Sequence, residues 1–156
     1  MCDMSVTMNR RSNIDEAMAY LRTQHEEIIH KLDNVLNTFN GANETKAINQ
    51  EDLMLFPIYE WVELNKDVWI RRRNDVFGDI LNFDTIIKNG GGFGDHYHQW
   101  LLESCEVISG KIVDLNTKKE YFAGDIAEFD HEESHHIIAD TNARLKVLFK
   151  KTNQTK

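Results

Sequence analysis

The chain has few of the residues that cross-link or interrupt a fold, since its 156 residues include two cysteines and one proline. Cys2 and Cys105 are too few for a disulfide framework, and this cysteine usage is typical of proteins from a reducing compartment. The single proline, Pro57, says little about function. A chain of this length is close to the usual size of one domain and can bury a substantial core.

Positive charge and long apolar runs are also scarce. The sequence has 18 Lys and Arg against 26 Asp and Glu, which gives a formal net charge of −8 and a pI near 5.3. Nucleic-acid binding needs a basic face, so we expect no nucleic-acid partner. Because there is no apolar run of membrane-spanning length and no charged-then-apolar leader, we expect a soluble, cytoplasmic protein without membrane contact.

Histidine, in contrast, is concentrated in one region: five of the seven histidines lie between His96 and His136. Residues two apart on a β-strand point to the same face, so His96 and His98 can direct two imidazoles at one point. Glu103 can add a carboxylate from the strand that follows. This combination predicts a metal site.

The glycines around this motif make the pattern more specific. Gly90 is followed after five residues by His96, then by His98, by Glu103 after four further residues, and by Gly110 after six. This spacing resembles the first signature of the cupin family at every position.

A second segment, from Gly124 to His135, resembles the second cupin signature in its opening glycine and in the distance to its histidine. It departs from that signature at three positions that form turns and bind no metal. Asp130 stands where the family usually has proline, Glu132 where it has glycine, and Ala139 where it often has asparagine.

The resemblance covers roughly residues 66 to 150 and implies a mostly β fold, a small cupin-type barrel of the double-stranded β-helix or jelly-roll kind. It implies a metal held by His96, His98, Glu103 and His135, with positions left open for water or substrate. Three imidazoles and one carboxylate suit one divalent Fe, Mn, Ni, Co or Zn ion per chain better than calcium or magnesium. The alternative is a metal-free barrel whose histidines line a pocket.

Three further residues are weaker candidates for substrate binding. Arg71 and Arg73 share one face of a predicted strand and could bind an anionic substrate, although charged strand residues often form a solvated edge. His131, in the loop before His135, could shuttle protons or contact a metal ligand, or simply be a surface histidine. His136 should point away from its neighbour on a strand and is left out of the metal site.

Residues 1–40 have a different pattern, with apolar positions spaced alternately four and three apart, which predicts an amphipathic α-helix. These positions are Ile14, Met18, Leu21, His25, Ile28, Leu32, Val35 and Phe39. Ser12 or Asn13 can cap its start, with Glu16 completing a capping box, and Asn40-Gly41 supplies a stop. The apolar seam either docks on the barrel or makes a homo-oligomer, for which a dimer is the expected form.

The remaining chain is divided by composition. Residues 41–52 are polar without apolar periodicity and are predicted to be a linker, and residues 53–156 form the barrel. The apolar, aromatic stretch 53–62 should cover one end of the barrel or pair with its edge. Many short strands with turns between them are typical of a β-barrel or sandwich, and they are expected at 68–73, 80–88, 97–109, 111–115, 120–123, 126–129, 135–139 and 145–150.

Two functions of different classes follow. The first is a small metal-dependent enzyme, an oxygenase or else an isomerase or lyase, acting on a small polar or acidic metabolite. The second is a module that binds or senses a small ligand and uses its helix for assembly. A full set of four ligands favours the enzyme, and the amphipathic helix on a polar linker favours the sensor. The fold does not choose between them, because one fold carries many activities.

Overall fold

The computed structural model describes residues 3–39, 46–73 and 80–152. Within these ranges the chain forms an N-terminal helix followed by short strands and one short helix. In chain order they are α1 (Asp3–Phe39), β1 (Lys46–Ala47), α2 (Gln50–Leu53), β2 (Trp61–Asn65), β3 (Val68–Arg72), β4 (Ile80–Ile87), β5 (His96–Tyr97), β6 (Leu101–Ser109), β7 (Lys111–Asp114), β8 (Lys119–Phe122), β9 (Ile126–Phe129), β10 (Ile137–Ala139) and β11 (Ala143–Lys151).

The strands form two antiparallel sheets and one short parallel pair. A six-stranded sheet has the order β2-β3-β4-β11-β6-β9, a three-stranded sheet has the order β10-β7-β8, and β1 lies parallel to β5. One hydrophobic core takes side chains from both antiparallel sheets. The mostly β architecture with an N-terminal helix is therefore confirmed.

Strict alternation of apolar side chains explains the two longest strands. In β11 the buried residues are every second one, from Ala143 to Phe149, and in β6 they run from Leu101 to Val107. Each fully buried large apolar side chain stabilises the fold by roughly 1.5–3 kcal/mol. Glu103 occupies one of the inward positions of β6, so the alternation that builds the core also carries a carboxylate into it.

Most predicted strands are present, and their bounds differ from the prediction where the backbone turns. The strand expected over 97–109 is divided into β5 and β6, because Trp100 between them has a φ of 61°, which no strand accommodates. The β7–β8 hairpin joins the two signature segments between Gly110 and Gly124. At Gly110 the φ is 85° and an added Cβ would lie 2.2 Å from the carbonyl oxygen of Asn142, so no other residue fits there.

Helix α1 begins earlier than the sequence predicted. It runs through Ser12 and Asn13, so the capping prediction at those residues is wrong; residues 3–13 contain neither glycine nor proline that would stop the helix. The predicted Asn40-Gly41 stop lies outside the described residues. None of the described helices has the length and apolar character needed to cross a bilayer.

The seam of α1 is covered only near its C-terminal end. Val35 is buried and Leu32 packs against the core, whereas Ile14, Met18 and Leu21 are 52–60% exposed. The helix thus docks on the barrel by its last described turns and leaves the preceding apolar seam uncovered.

The polar segment before the barrel is ordered where the structure describes it. Residues 46–53, most of which were expected to be linker, form β1 and α2, and Ile48 and Leu53 are almost completely buried. Phe56 joins the same core, while β2 pairs with β3 and forms an edge of the six-stranded sheet. The stretch 53–62 therefore both contributes to the core and extends the sheet.

Candidate metal centre

Four polar side chains meet inside the apolar core. One ligand atom from each of them lies within 4.8 Å of the others, and all four residues are at most 8% exposed. They are the four residues that the signature spacing singled out: His96, His98, Glu103 and His135.

Backbone pairing brings the two signature segments together. His96 and His135 form an isolated antiparallel bridge, in which each backbone N–H donates to the other residue's carbonyl, at 3.1 and 2.9 Å. Glu103 lies between Phe149 of β11 and Phe129 of β9 in the strand register. Strand register therefore places the imidazoles and the carboxylate at one point.

Each imidazole is oriented by a hydrogen bond from its Nδ1 to a backbone carbonyl. His96 bonds the oxygen of Gly94 at 2.7 Å, His98 bonds that of Ile48, and His135 bonds that of Glu133 at 3.1 Å. A carbonyl only accepts, so Nδ1 carries the proton in the neutral ring and Nε2 keeps its lone pair. Metal-binding histidines are commonly oriented in this way.

Three atoms at the centre have no hydrogen-bond partner. Nε2 of His98 and Nε2 of His135 each lie 2.9 Å from the same oxygen, Oε1 of Glu103, but neither contact has hydrogen-bond geometry. A buried polar atom without a partner costs about 1–3 kcal/mol. A cation among these atoms would satisfy all three at once, so the residues fit a divalent transition ion bound by nitrogen and oxygen.

Protonation in the cluster also fits a cation. Burial, with the nearby charges of His135 and His98, holds the pKa of His96 well below its usual value, so this ring is neutral at pH 7. Burial opposes ionisation of Glu103, yet His135 and His98 hold the pKa of its carboxyl well below the usual range. The centre therefore combines an ionised carboxylate with a neutral His96. Burial opposes protonation of His135, but Glu103 raises the pKa of that ring, so a cation would compete with a proton there.

Aromatic rings and aliphatic side chains surround the cluster. The ring of Phe129 stacks on His135 with 4.1 Å between centroids, and that of Phe149 lies 4.9 Å from His98. Beside them is a cavity of about 40 Å³, room for a few water molecules. Outside the cluster its lining is apolar except for Thr85 and Cys105, and burial, with the charge of Glu103, raises the pKa of the Cys105 thiol well above its usual value.

Arg71 and Arg73 are not part of this centre. Both bind Asp84, at 2.8 and 3.0 Å, and the Arg71 guanidinium lies 4.6 Å from the centre of the Trp61 ring. Ile70, the neighbour of Arg71 in β3, lines the cavity, so Arg71 lies on the opposite face of the sheet. The structure therefore places these two arginines on the outside of the barrel.

His131 and His136 also lie outside the cluster. The ring of His131 stacks on Trp100, with 4.6 Å between centroids, and its Nδ1 accepts a bond from the Trp100 backbone at 3.4 Å. The backbone N–H of His136 donates to Asp114. Neither imidazole belongs to the group that could hold a metal.

Two features of the centre were missed in the sequence. The first is the carbonyl of Ile48, a backbone group whose contact with His98 cannot be predicted from the residue type. Glu132, at the position where the second signature has glycine, has a φ of 65° and donates its N–H to the carbonyl of His98 at 2.8 Å. The loop thus has a backbone conformation that favours glycine, although the residue there is glutamate. In the sequence, only the mismatch with the signature could have pointed to this position.

The two sheets and the internal histidine cluster define a cupin barrel, and the predicted cupin fold is confirmed by solved structures. KdgF from Halomonas sp. is similar with a TM-score of 0.55 and 15% identity over 60% of this chain and 89% of its own. An RmlC-like cupin from Shewanella frigidimarina is similar with a TM-score of 0.52 and 14% identity over 64% and 92%. No protein-family model and no curated protein matches the sequence significantly.

Proposed function

We propose that the protein is a small metal-dependent cupin enzyme, an oxygenase or else an isomerase or lyase. One divalent Fe, Mn, Ni, Co or Zn ion would be held by His96, His98, Glu103 and His135. The observation that supports this proposal is the set of three buried atoms without a hydrogen-bond partner at the centre, on two imidazoles and one carboxylate. The bound ion would supply Lewis-acid or oxygen chemistry at its open positions.

The cavity limits what the substrate can be. Its walls include the apolar side chains of Phe93, Ile137 and Val147, and outside the ligand cluster no charged side chain lines it. A substrate there would bind the metal through an oxygen atom and place a small apolar body against these walls. A small carboxylate or hydroxy acid fits that description, with the metal itself as the counter-charge.

The proposal is tested on protein purified without a histidine tag. Metal analysis should give close to one transition ion per chain, and the anaerobic Fe(II) form should bind nitric oxide, a surrogate for oxygen at an open position. Thermal-shift screening of small carboxylates and hydroxy acids identifies a ligand, because any ligand that prefers the folded state stabilises it. Oxygen consumption or product formation with that ligand is the expected result. Protein that takes up no metal overturns the proposal.

The second candidate is a ligand-sensing module, and one contact favours it. The carbonyl that orients His98 belongs to Ile48, in the segment next to α2, and α1 packs against α2. A sensor needs only a ligand with different affinities for two states of the protein. Recovery of the ligand unchanged from the Fe(II), Mn(II) and Ni(II) proteins would reject the enzyme for that ligand and favour the sensor.

We also propose that the uncovered part of α1 pairs with the same helix of a second copy. A heptad seam packs well against another heptad seam. An antiparallel pair would place Met18 opposite Leu21 and Asp15 opposite Arg22. The same register would therefore form both apolar contacts and pairs of opposite charge. Sedimentation should show a dimer that Leu21→Glu dissociates, while Thr23→Glu on the polar side leaves it intact. A wild-type monomer at micromolar concentration would contradict the pairing.

A further inference from the structure

The segment that precedes α2 is attached to the strand that carries two of the histidines. Lys46 and Ala47 pair in parallel with His96 and Tyr97. The N–H of Ile48 then donates to the carbonyl of Tyr97 at 2.8 Å. The carbonyl of the same Ile48 accepts the proton of His98 Nδ1. One peptide segment thus binds both the backbone and an imidazole of the proposed centre.

Asn49 connects this segment to both of its neighbours. Its Oδ1 accepts the backbone N–H of Gln99 at 2.9 Å, and its Nδ2 lies 3.4 Å from Oε1 of the same glutamine. Its own backbone N–H donates to the carboxylate of Asp52 at 2.8 Å, and its carbonyl accepts the N–H of Asp52 at 3.0 Å. Asn49 therefore starts α2 and holds it to the residue that follows His98.

We infer that Asn49 is a positioning residue for the metal centre. Through its bond to Gln99 it holds the carbonyl of Ile48 against the His98 ring, and this contact directs Nε2 of His98 toward Glu103 and His135. The inference rests on the proposed metal function, and it assigns part of that site to a segment outside the stretch of resemblance, residues 66 to 150.

The physical reason is that an imidazole binds a metal only in a narrow range of ring orientations. Removing the group that orients a metal ligand typically lowers metal affinity by about 10-fold to 100-fold. The carbonyl of Ile48 cannot be removed by substitution, so the side chain that fixes its position is the accessible one. Asn49 is partly buried and the hydrogen bonds of its side chain go to Gln99, which is not one of the four ligands, so its substitution leaves all four ligands in place.

The test uses three variants of the full-length protein. Asn49→Ser keeps a residue that caps helices well but shortens the side chain, so the link to Gln99 is lost. Asn49→Asp keeps both the cap and an acceptor for the Gln99 N–H. Asn142→Ala is the matched control, since Asn142 also accepts a backbone N–H, that of Asn89 at 2.9 Å, away from the centre.

Cobalt(II) and zinc affinities are measured by competition with a chromophoric chelator, and the visible spectrum of the cobalt form reports on its ligands. Asn49→Ser should bind both ions about 10-fold to 100-fold more weakly and change the cobalt spectrum. Asn49→Asp and Asn142→Ala should stay within about 3-fold of the wild type, well inside the loss expected for an orienting group. Urea unfolding of the metal-free proteins shows how much of any loss of metal affinity results from a lower free energy of unfolding.

Three results would overturn the inference. The first is an Asn49→Ser protein with wild-type affinity and spectrum. The second is an equal loss of affinity in Asn142→Ala. The third is an Asn49→Asp protein as weak as Asn49→Ser. A wild type that binds no metal overturns the proposed function as well, so failure of the two proposals is distinguishable.

Discussion

The two faces of the six-stranded sheet carry two clusters of charged and polar side chains that differ in one respect. On the outer face Arg71 and Arg73 both bind Asp84, and the three side chains are 18–36% exposed. On the inner face Glu103 of β6 meets the three histidines; all four residues are buried, and three of their atoms have no hydrogen-bond partner. The charges of the outer cluster pair with one another in partial contact with solvent, whereas the inner cluster is buried and is the one whose residues fit a cation.

Energetics separates the clusters as clearly as geometry does. A partly exposed ion pair contributes about 0.2–1 kcal/mol, because solvent screens it and side-chain freedom is lost. An orphaned buried atom costs about 1–3 kcal/mol until a partner arrives. The outer cluster thus slightly favours folding by itself, and under the proposed function a cation bound at the inner cluster would add to the stability of the fold.

The most severe test of this comparison removes ligands from the inner cluster. His98→Ala and His135→Ala should each lower transition-metal affinity by more than about 100-fold, a larger loss than removal of an orienting group alone. His136→Ala and Arg71→Ala should leave metal content near one ion per chain. Metal analysis after dialysis against a weak chelator measures this. Equal losses in all four variants would break the comparison.

Metal removal should affect stability through the inner cluster alone. If the ion is present at about 1,000 times its dissociation constant, it stabilises the fold by about 4 kcal/mol, and a strong chelator should lower the Tm by roughly 10 °C. Calorimetry with and without chelator measures the change, and added zinc should reverse it. The shift should be the same in Arg71→Ala and absent in His135→Ala. An unchanged Tm in the wild type would argue for a metal-free barrel.

The outer cluster predicts a smaller effect that depends on pH. Burial acts to raise the pKa of Asp84, but the bonds to Arg71 and Arg73 outweigh burial and lower this pKa. A depressed folded-state pKa contributes stability above the unfolded pKa of about 3.9, and this contribution disappears as the pH falls through the folded value. Asp84→Asn should therefore lower the free energy of unfolding by about 1 kcal/mol at pH 7, a small value because solvent screens the partly exposed pairs.

Urea unfolding from pH 7 to pH 2.5 checks this dependence. The difference between wild type and Asp84→Asn should shrink in acid, and metal affinity at pH 7 should be the same in both proteins. A loss of metal affinity in Asp84→Asn would mean that the two faces are coupled.

The sequence was sufficient where side-chain identity and spacing carry the information. Alternation placed Glu103 on the inner face of β6, and signature spacing selected the four residues that converge. Arg71 and Arg73 could not be assigned from spacing, because the face a strand buries depends on its neighbours. The role of Ile48 could not be predicted at all, since its carbonyl meets His98 only through a pairing between segments 50 residues apart.

The smallest effect concerns the loop that precedes His135. Glu132 has a φ of 65°, and a left-handed conformation costs a residue with a Cβ about 1–2 kcal/mol. Glycine avoids this cost, but its greater freedom in the unfolded chain offsets part of the gain in stability. Glu132→Gly should therefore raise the free energy of unfolding by about 0.5–1 kcal/mol. Ser134→Gly, in the same loop with ordinary backbone angles, should lower it. Urea unfolding of the metal-free proteins distinguishes the two variants. A destabilised Glu132→Gly would mean that the left-handed backbone costs the glutamate less than glycine loses through its greater freedom in the unfolded chain.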